Sequence, residues 1–398
     1  MNLRVFPADV KVAALLAAQV AVNKMINKKR LIKLTQALIR IPSENPPGDE
    51  YKVARFIKDY LSVYKIKTKL YEFQKKRTNL LAYMGQKKKP VLVITPHLDT
   101  VPAGKNWRYP AFSGKVLQGK IYGRGATDDK GNLAIALEAM TSIAEEKVKL
   151  NYQLVLVASA DEENGSKLGV IPLLERRIIK PNFTLILDNA GFDILLCQKG
   201  LLHLKISIFG KKAHGAYPWL GENAIEKAVY ILKEIKEHKF KYTPHPLLKP
   251  PTINFGTIQG GERVNMVSDW CQFSLDIRFL PGISVDLILR DIKNIVKKHA
   301  RKFKIEIIAK QSPFQTEQDN PLLIYLKRAL KKNKCPILLK GSEGATTITF
   351  FSEKKIPAVG FGVGEKKLSH ASDECIKIAD LYRGAKVLED FLKSFYSV

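Results

Sequence analysis

The sequence predicts an α/β protein with a mixed, mostly parallel sheet flanked by helices, into which a ferredoxin-like α+β domain is inserted. Short apolar, β-rich runs alternate with helix-period segments in the first half of the chain and again near its end, as in a sheet that is covered on both faces. The middle of the chain instead carries strands in which polar and apolar residues alternate. A length of 398 residues with 45% hydrophobic residues suits two domains with sizeable cores.

The outer part of the chain supplies the larger domain. A helical pattern over about 29–64 is broken at 41–48 (IPSENPPG), because its prolines and glycine cannot continue a helix. Buried strands and helices then alternate along the chain. The predicted strands cover 90–95, 153–158, 183–187 and 358–362, and the predicted helices cover 132–144, 168–176 and 379–395.

The middle of the chain reads as a separate unit. Its predicted elements are a strand at 202–209, a helix at 223–238, strands at 252–259 and 271–279, a helix at 285–300 and a strand at 304–309. This β-α-β-β-α-β order is that of a ferredoxin-like fold. We therefore expect an N-terminal extension at 1–28, a larger domain in two parts, 29–199 and 314–398, and an inserted domain at 200–313.

The apolar stretch at 12–22 is too short to span a bilayer. Asp9 and Lys11 precede it and Gln19 interrupts it, which favours an additional amphipathic helix or a misplaced start codon over a signal peptide. We expect no membrane partner. Four widely spaced cysteines without a C-x-x-C pair argue against a cysteine zinc site and fit a reducing, cytoplasmic location.

The formal net charge of +28 follows from 66 basic and 38 acidic residues. Such a charge attracts anionic small molecules, and it also permits loose binding to nucleic acid. The basic residues form short, scattered clusters, however, and no helix-turn-helix, zinc-finger or RNP pattern accompanies them. We therefore expect no dedicated nucleic-acid partner.

Imidazole and carboxylate side chains follow the predicted strands. Ligands of open α/β sheets bind beyond the carboxyl ends of the strands, so we expect these side chains to meet at one edge. Carboxylates that converge on one cleft repel each other unless cations neutralise them. Mixed imidazole and carboxylate ligands suit a pair of zinc ions, with cobalt or manganese as alternatives. The residues concerned are His97, Asp99, Asp128, Glu162, Glu163, Asp188 and His370.

The chain resembles the M20 metallopeptidase family, in particular its acetylornithine deacetylase and succinyl-diaminopimelate desuccinylase branch. The resemblance runs from about residue 30 to the end and implies a zinc-exopeptidase-like catalytic domain with an inserted lid and dimerisation domain. The matching motifs are PHLDTVPAG (96–104), YGRGATDDKG (122–131), SADEENG (159–165), GKKAHGAYP (210–218), GGERVNMV (260–267), DIR (276–278) and LSHASDE (368–374).

The resemblance also implies roles for individual residues. The implied metal ligands are His97, Asp128, Glu163, Asp188 and His370. Asp99 would orient His97, and Glu162 would be the general base. His214 would stabilise the oxyanion, although it also reads as an ordinary surface histidine. Arg278 and Asn265 would hold the substrate carboxylate, with the alternative that Arg278 pairs with Asp276. Gly344 lies in a loop that many relatives place near that carboxylate, but the aspartate of their loop is absent here.

These features predict a cytoplasmic hydrolase that depends on two metal ions and cleaves the amide bond of N-acyl amino acids, by deacetylation or desuccinylation, through a metal-bridging water that a glutamate activates. A broad-specificity dipeptidase, carboxypeptidase or aminoacylase of the same family is the first alternative. A non-catalytic basic binding protein is the more remote one. We expect small N-acyl amino acids or short peptides as partners, and a homodimer formed through the inserted domain.

Overall fold

The computed structural model describes residues 26–87, 89–188 and 190–396. The predicted fold class is confirmed, since a mostly parallel sheet is flanked by helices and a smaller α+β unit interrupts it. The helix expected at 12–22 lies outside the described residues. One compact unit contains the chain up to Leu196, Thr316–Lys340 and the chain from Phe350 onward, and the other contains Cys197–Gln315 and Gly341–Thr349.

The strands in chain order are β1 Lys67–Gln74, β2 Arg77–Gly85, β3 Val91–Thr95, β4 Lys115–Leu117, β5 Lys120–Tyr122, β6 Gln153–Ala158, β7 Phe183–Ile186, β8 Asp193–Gln198, β9 Gly200–Phe209, β10 Thr252–Gly260, β11 Trp270–Phe279, β12 Lys302–Gln311, β13 Phe314–Gln315, β14 Leu338–Ser342, β15 Ala358–Phe361 and β16 Cys375–Lys377. The helices are α1 Lys28–Ile39, α2 Tyr51–Val63, α3 Lys130–Glu145, α4 Val170–Glu175, α5 Ala224–Glu237, α6 Val285–His299, α7 Pro321–Lys332, α8 Ile348–Ser352 and α9 Ile378–Ser394.

The sheet of the first unit has the order β1-β2-β6-β3-β7-β15-β8. Strands β6, β3, β7 and β15 are parallel, so their carboxyl ends share one edge of the sheet. These four strands are almost wholly buried, as their continuous apolar sequences predict. Helices α1, α3 and α9 contribute Leu34, Leu137 and Leu388, all fully buried, to the core beside them.

The hairpin of β1 and β2 extends this sheet on one side and was not predicted. Strand β2 begins with Arg77, Thr78 and Asn79, which are buried although they are polar. Each finds a partner: Arg77 donates to Glu50, Thr78 to Glu72, and Asn79 to the Leu168 carbonyl. Hydrogen bonds therefore offset the cost of burying these polar groups, which the hydrophobic pattern alone does not reveal.

The second unit contains an antiparallel sheet of order β10-β11-β9-β12. Along the chain, α5 lies between β9 and β10, and α6 lies between β11 and β12. This is the predicted β-α-β-β-α-β order. Ile231 of α5, Ile288 of α6 and Phe273 of β11 are fully buried in its separate core. Most of the edge strand β10 is exposed. Among the described helices, none is both long and apolar enough to cross a membrane.

Candidate metal centre

His97 and Asp99 follow β3 at the carboxyl edge of the sheet, and both are buried. The Nδ1 atom of His97 lies 3.0 Å from the main-chain oxygen of Asp99 and 3.6 Å from its carboxylate. That carboxylate accepts hydrogen bonds from the backbone N–H groups of Glu162 and Glu163, each at 3.1 Å. Asp99 thus joins the loop after β3 to the loop after β6, and its carboxylate contacts the glutamate loop more closely than the histidine ring.

Asp128 lies between two histidines. Its Oδ1 atom is 3.0 Å from Nε2 of His97, and its Oδ2 atom is 3.3 Å from Nε2 of His370. Burial opposes ionisation of Asp128, but hydrogen bonds to His370 and His97 outweigh it and hold the pKa of the carboxyl well below its usual range. The carboxylate of Asp128 can therefore serve two neighbouring positions at once.

Two groups of potential ligands share this carboxylate. The first is His97, Asp128 and Asp188, and the second is Asp128, Glu163 and His370; within each group the ligand atoms lie within 4.8 Å of one another. We call these the first and the second metal position. The structure thus brings together all five residues that the resemblance implied as metal ligands. Glu162 belongs to neither group.

The electrostatics of this edge suit cations. Burial and the nearby Asp128 raise the pKa of Asp188 to about 7. Burial and the nearby Asp188 also raise the pKa of Glu162 well above its usual range. In addition, the Oε1 atom of Glu163 is buried without a hydrogen-bond partner among the described residues. A buried carboxylate oxygen without a donor is expected to face a cation, so the residues present fit a pair of divalent ions.

Glu374 organises the loop that carries Asp128, a role that sequence analysis did not predict. Its fully buried carboxylate accepts hydrogen bonds from the backbone N–H groups of Gly125, Thr127 and Asp128 at 2.8–3.0 Å. Three backbone donors and the Arg124 guanidinium, at 2.8 Å, surround it. One sequence feature could have indicated this role, because Glu374 ends the LSHASDE motif and no function had been assigned to its carboxylate.

The loop that carries Glu162 and Glu163 has a similar anchor in Asp161. One Asp161 oxygen accepts from Arg77 at 2.9 Å and from Asn45 at 3.2 Å, and the other accepts from the Leu168 backbone N–H at 3.0 Å. Asn45, in the proline-rich loop at 41–48, also donates to Asp99 at 2.9 Å. These distant segments therefore fix the backbone beside Glu162, and the sequence did not single them out.

The remaining predicted site residues, His214, Asn265, Arg278 and Gly344, belong to the second unit. The exposed His214 accepts a hydrogen bond from the Ala216 N–H at Nδ1, and the Gly344 N–H donates to Ser342. The carbonyl of Asn265 accepts from the Gly215 N–H. Arg278 makes a two-point ion pair with Asp276 at 2.8 and 3.1 Å, which is the alternative that sequence analysis left open.

The pKa of His370 predicts how pH affects stability. Hydrogen bonds to Asp128 and Glu163 raise the pKa of His370 to about 10. Between its unfolded pKa of about 6.5 and this value, only the folded protein holds the proton, so the stability that it contributes is lost as pH rises through that window. Zinc requires the neutral ring, and we therefore expect the zinc-induced rise in melting temperature to grow from about pH 6.5 to about pH 8.5.

Thermal unfolding with chelator or with zinc across this range tests the prediction. His370→Ala is the control, and its zinc-induced shift should depend less on pH. An equal dependence in both proteins would contradict the assignment of the effect to His370.

Comparison with known proteins places this edge in context. The model of peptidase family M20/M25/M40 matches residues 93–394. The chain is 25% identical to a probable succinyl-diaminopimelate desuccinylase of Staphylococcus aureus, and 29% identical to an uncharacterised metallohydrolase of Methanococcus maripaludis. Each alignment covers 91% of this chain and 98% of the relative.

Solved structures share the fold. Aminopeptidase PepT from Bacillus cereus superposes with a TM-score of 0.77 at 21% identity, covering 94% of this chain and 100% of the neighbour. A dinuclear metal-binding peptidase of family M20 from Bacillus subtilis gives a TM-score of 0.72 at 15% identity, covering 92% and 97%. Both contain the fold described above, and the second is described as holding two metals.

Proposed function

Because the chain belongs to peptidase family M20/M25/M40, whose members are metallopeptidases and amidohydrolases, we propose that it uses two divalent metal ions, preferably zinc, to hydrolyse the amide bond of N-acyl amino acids. The observation that carries this proposal is the position of Asp128. Its two carboxylate oxygens face His97 and His370, so a single side chain belongs to both ligand groups. A shared carboxylate of this kind is typical of paired-metal hydrolase sites.

The five ligands would divide between the two positions. His97 and Asp188 would hold one ion, Glu163 and His370 the other, and Asp128 both. When bound, the ions supply Lewis acidity and increase the acidity of water in the site. Imidazole and carboxylate donors without cysteine favour zinc, and they also accept cobalt or manganese.

Glu162 is proposed as the proton acceptor. Its backbone is fixed by Asp99, and its side chain is left outside both ligand groups. A carboxylate so placed can take a proton from the attacking water and pass it to the nitrogen of the departing amine. His214 is proposed to donate to the oxygen of the tetrahedral intermediate, and Arg278 and Asn265, with the Gly344 loop, to bind the substrate carboxylate. For that task Arg278 would exchange Asp276 for the substrate.

The substrate class is proposed from the relatives and from charge. The curated relatives named as probable desuccinylases act, by their name, on a succinylated diamino acid. A net charge of +28 steers anionic substrates toward the protein. Family membership equally accommodates dipeptides and acetylated amino acids, which keeps a peptidase or aminoacylase as the alternative.

A substrate panel tests the proposed function. Zinc- and cobalt-loaded protein would be assayed with succinyl-diaminopimelate, acetyl-ornithine, other N-acyl amino acids, dipeptides and tripeptides. The proposal expects the highest kcat/KM for an N-acyl amino acid. Preferred cleavage of peptides would favour the peptidase alternative. Purified protein that takes up no metal would contradict the proposed two-metal function.

His214→Ala is expected to lower kcat by about 10²–10³-fold, which is the usual effect of removing one donor to a developing oxyanion. Steady-state kinetics on the best substrate of the panel measures it. His238, a half-buried histidine of the second unit whose ring lies 3.4 Å from Asp291, offers a control, and His238→Ala should change kcat little. An effect of His214→Ala on KM alone would rule out the oxyanion role.

A homodimer through the second unit is also proposed. Strand β10 lies at the sheet edge, and exposed apolar side chains occur on it and on α5: Phe255, Ile258, Val229 and Tyr230 are 38–60% exposed. An edge strand with exposed apolar residues can pair with a second copy.

Ile258→Lys should therefore give a monomer in light scattering. Ile308→Lys, at the opposite edge on β12 where Ile308 is 55% exposed, is the matched control and should leave the dimer intact.

A further inference from the structure

We propose that Arg124 is a positioning residue that holds His370 in the second metal position. This inference rests on the proposed two-metal function. Arg124 is 2% exposed and lies in the loop between β5 and α3. It belongs to neither ligand group. It contacts the backbone beside His370 and the Glu374 carboxylate that accepts from the Asp128 N–H, and His370 and Asp128 are two of the three ligands of that position.

The Arg124 guanidinium reaches two consecutive backbone carbonyls of the His370 loop. Its Nη1 atom donates to the Ala371 carbonyl at 3.1 Å, and Nη2 lies 3.4 Å from the His370 carbonyl. The Nη2 atom also lies 3.4 and 3.3 Å from the carbonyls of Pro102 and Ala103. A single side chain thus connects the loop after β15 to the loop after β3, and this needs the several donors of a guanidinium.

The same guanidinium is tied to Asp128 through Glu374. Nη1 donates to Oε2 of Glu374 at 2.8 Å, and the other oxygen of Glu374 accepts the Asp128 N–H at 3.0 Å. Arg124 Nη1 therefore lies between the carboxylate that fixes Asp128 and the carbonyl next to His370. The guanidinium therefore connects the backbone of one of these two ligands to the carboxylate that fixes the other.

His370 lacks the burial that constrains His97. Its side chain is 52% exposed, and its φ is 64°, a left-handed conformation that a residue other than glycine keeps only where its surroundings hold it. By contrast His97, in the first metal position, is buried, and its backbone N–H donates to Asp129 at 3.0 Å. Loss of Arg124 is therefore expected to weaken the second position more than the first.

The stacking of Arg124 on an indole ring supports this role. The guanidinium carbon lies 5.1 Å from the centre of the Trp107 ring, and Trp107 Nε1 donates to the Ala103 carbonyl at 2.8 Å. The ring thus lies against the guanidinium and is itself bonded to one of the carbonyls that Arg124 reaches. This arrangement limits the conformations of the arginine in the absence of substrate.

The test counts metal ions in the full chain. Wild type, Arg124→Lys and the control Arg30→Lys would be stripped with chelator, titrated with zinc by calorimetry, and analysed for zinc after dialysis. Arg30 is a matched control because it is also a buried arginine paired with a buried carboxylate, Glu138. Within the part of the chain that the structure describes, its side-chain partners are Glu138, Glu145 and Tyr64, none of which is a ligand. We expect two zinc ions in wild type and Arg30→Lys. In Arg124→Lys we expect one tightly bound ion and a second-position affinity about 10–100-fold lower.

Added zinc should restore the activity of Arg124→Lys without a change in KM, which a general loss of folding would not allow. Two ions bound with wild-type affinity in Arg124→Lys, or equal weakening of both positions, would overturn the inference and leave the proposed function intact. A wild type that binds no zinc would instead overturn the proposed function as well. If Arg124→Lys does not fold, Trp107→Leu, which removes the ring stacked on the guanidinium and its hydrogen bond to the Ala103 carbonyl, is expected to lower the second-position affinity about 5-fold. Unchanged affinity there would count against the role of Arg124.

Discussion

Glu162→Gln is expected to keep both zinc ions and to lose turnover by about 10²–10⁴-fold, the usual contribution of a general base. The amide retains the shape of the side chain but cannot accept the proton of the attacking water. Metal retention is expected because Glu162 lies outside both ligand groups. Zinc analysis after dialysis and the measurement of kcat on the same sample check the two parts together.

The neighbouring residue provides the control. Glu163 belongs to the second metal position, with Oε2 3.2 Å from His370 Nε2. Glu163→Gln is the same chemical change one residue away, and it should lower the zinc content toward one ion. Full activity in Glu162→Gln would refute its role as base, and loss of zinc there would show that it is a ligand instead.

Asp128→Ala is expected to lose both zinc ions after dialysis and to lower kcat/KM by about 10³-fold or more, since metal ions supply several kcal/mol of transition-state stabilisation. The reason is geometric, because Asp128 is the one residue that the two ligand groups have in common. Zinc analysis and calorimetric titration of the stripped protein measure the loss.

Asp188→Ala is the comparison for this second variant. Asp188 belongs only to the first metal position, so its removal should leave one ion in place. If Asp128→Ala also kept one ion at wild-type affinity, the carboxylate would not be shared and the two positions would be independent.

The positions of the ligands could be predicted because they follow from strand order. Parallel strands end at the same edge, so His97, Glu163 and Asp188 were expected near one another once β3, β6 and β7 had been identified from their apolar runs. Asp128 and His370 were also expected at this edge, but the place of Asp128 between the two histidines needed the resemblance, since β16 and β5, which bring their loops together, are only three residues long and carry no strong pattern.

The supporting residues could not be predicted in the same way. Arg124, Glu374 and Asp161 act through backbone groups of distant loops. Because a backbone carbonyl or N–H is present whatever side chain its residue carries, no sequence pattern reveals these hydrogen bonds. Arg77 illustrates the same limit. A charged residue at the start of a strand is usually exposed, yet it is buried here between Glu50 and Asp161. Only the folded chain reveals that these charges compensate one another.

The second unit is not a single continuous segment, because Gly341–Thr349 belongs to it although the first unit resumes at Thr316. Gln198 accepts two hydrogen bonds from Thr346, and the ammonium group of buried Lys199 lies 2.5 Å from Glu343. A peptide cut out at 197–315 would therefore carry a buried lysine without its carboxylate and a glutamine without its donors. Moving the second unit into another hydrolase would require insertions at two places in the host chain. Its evolutionary exchange as one continuous segment is therefore disfavoured.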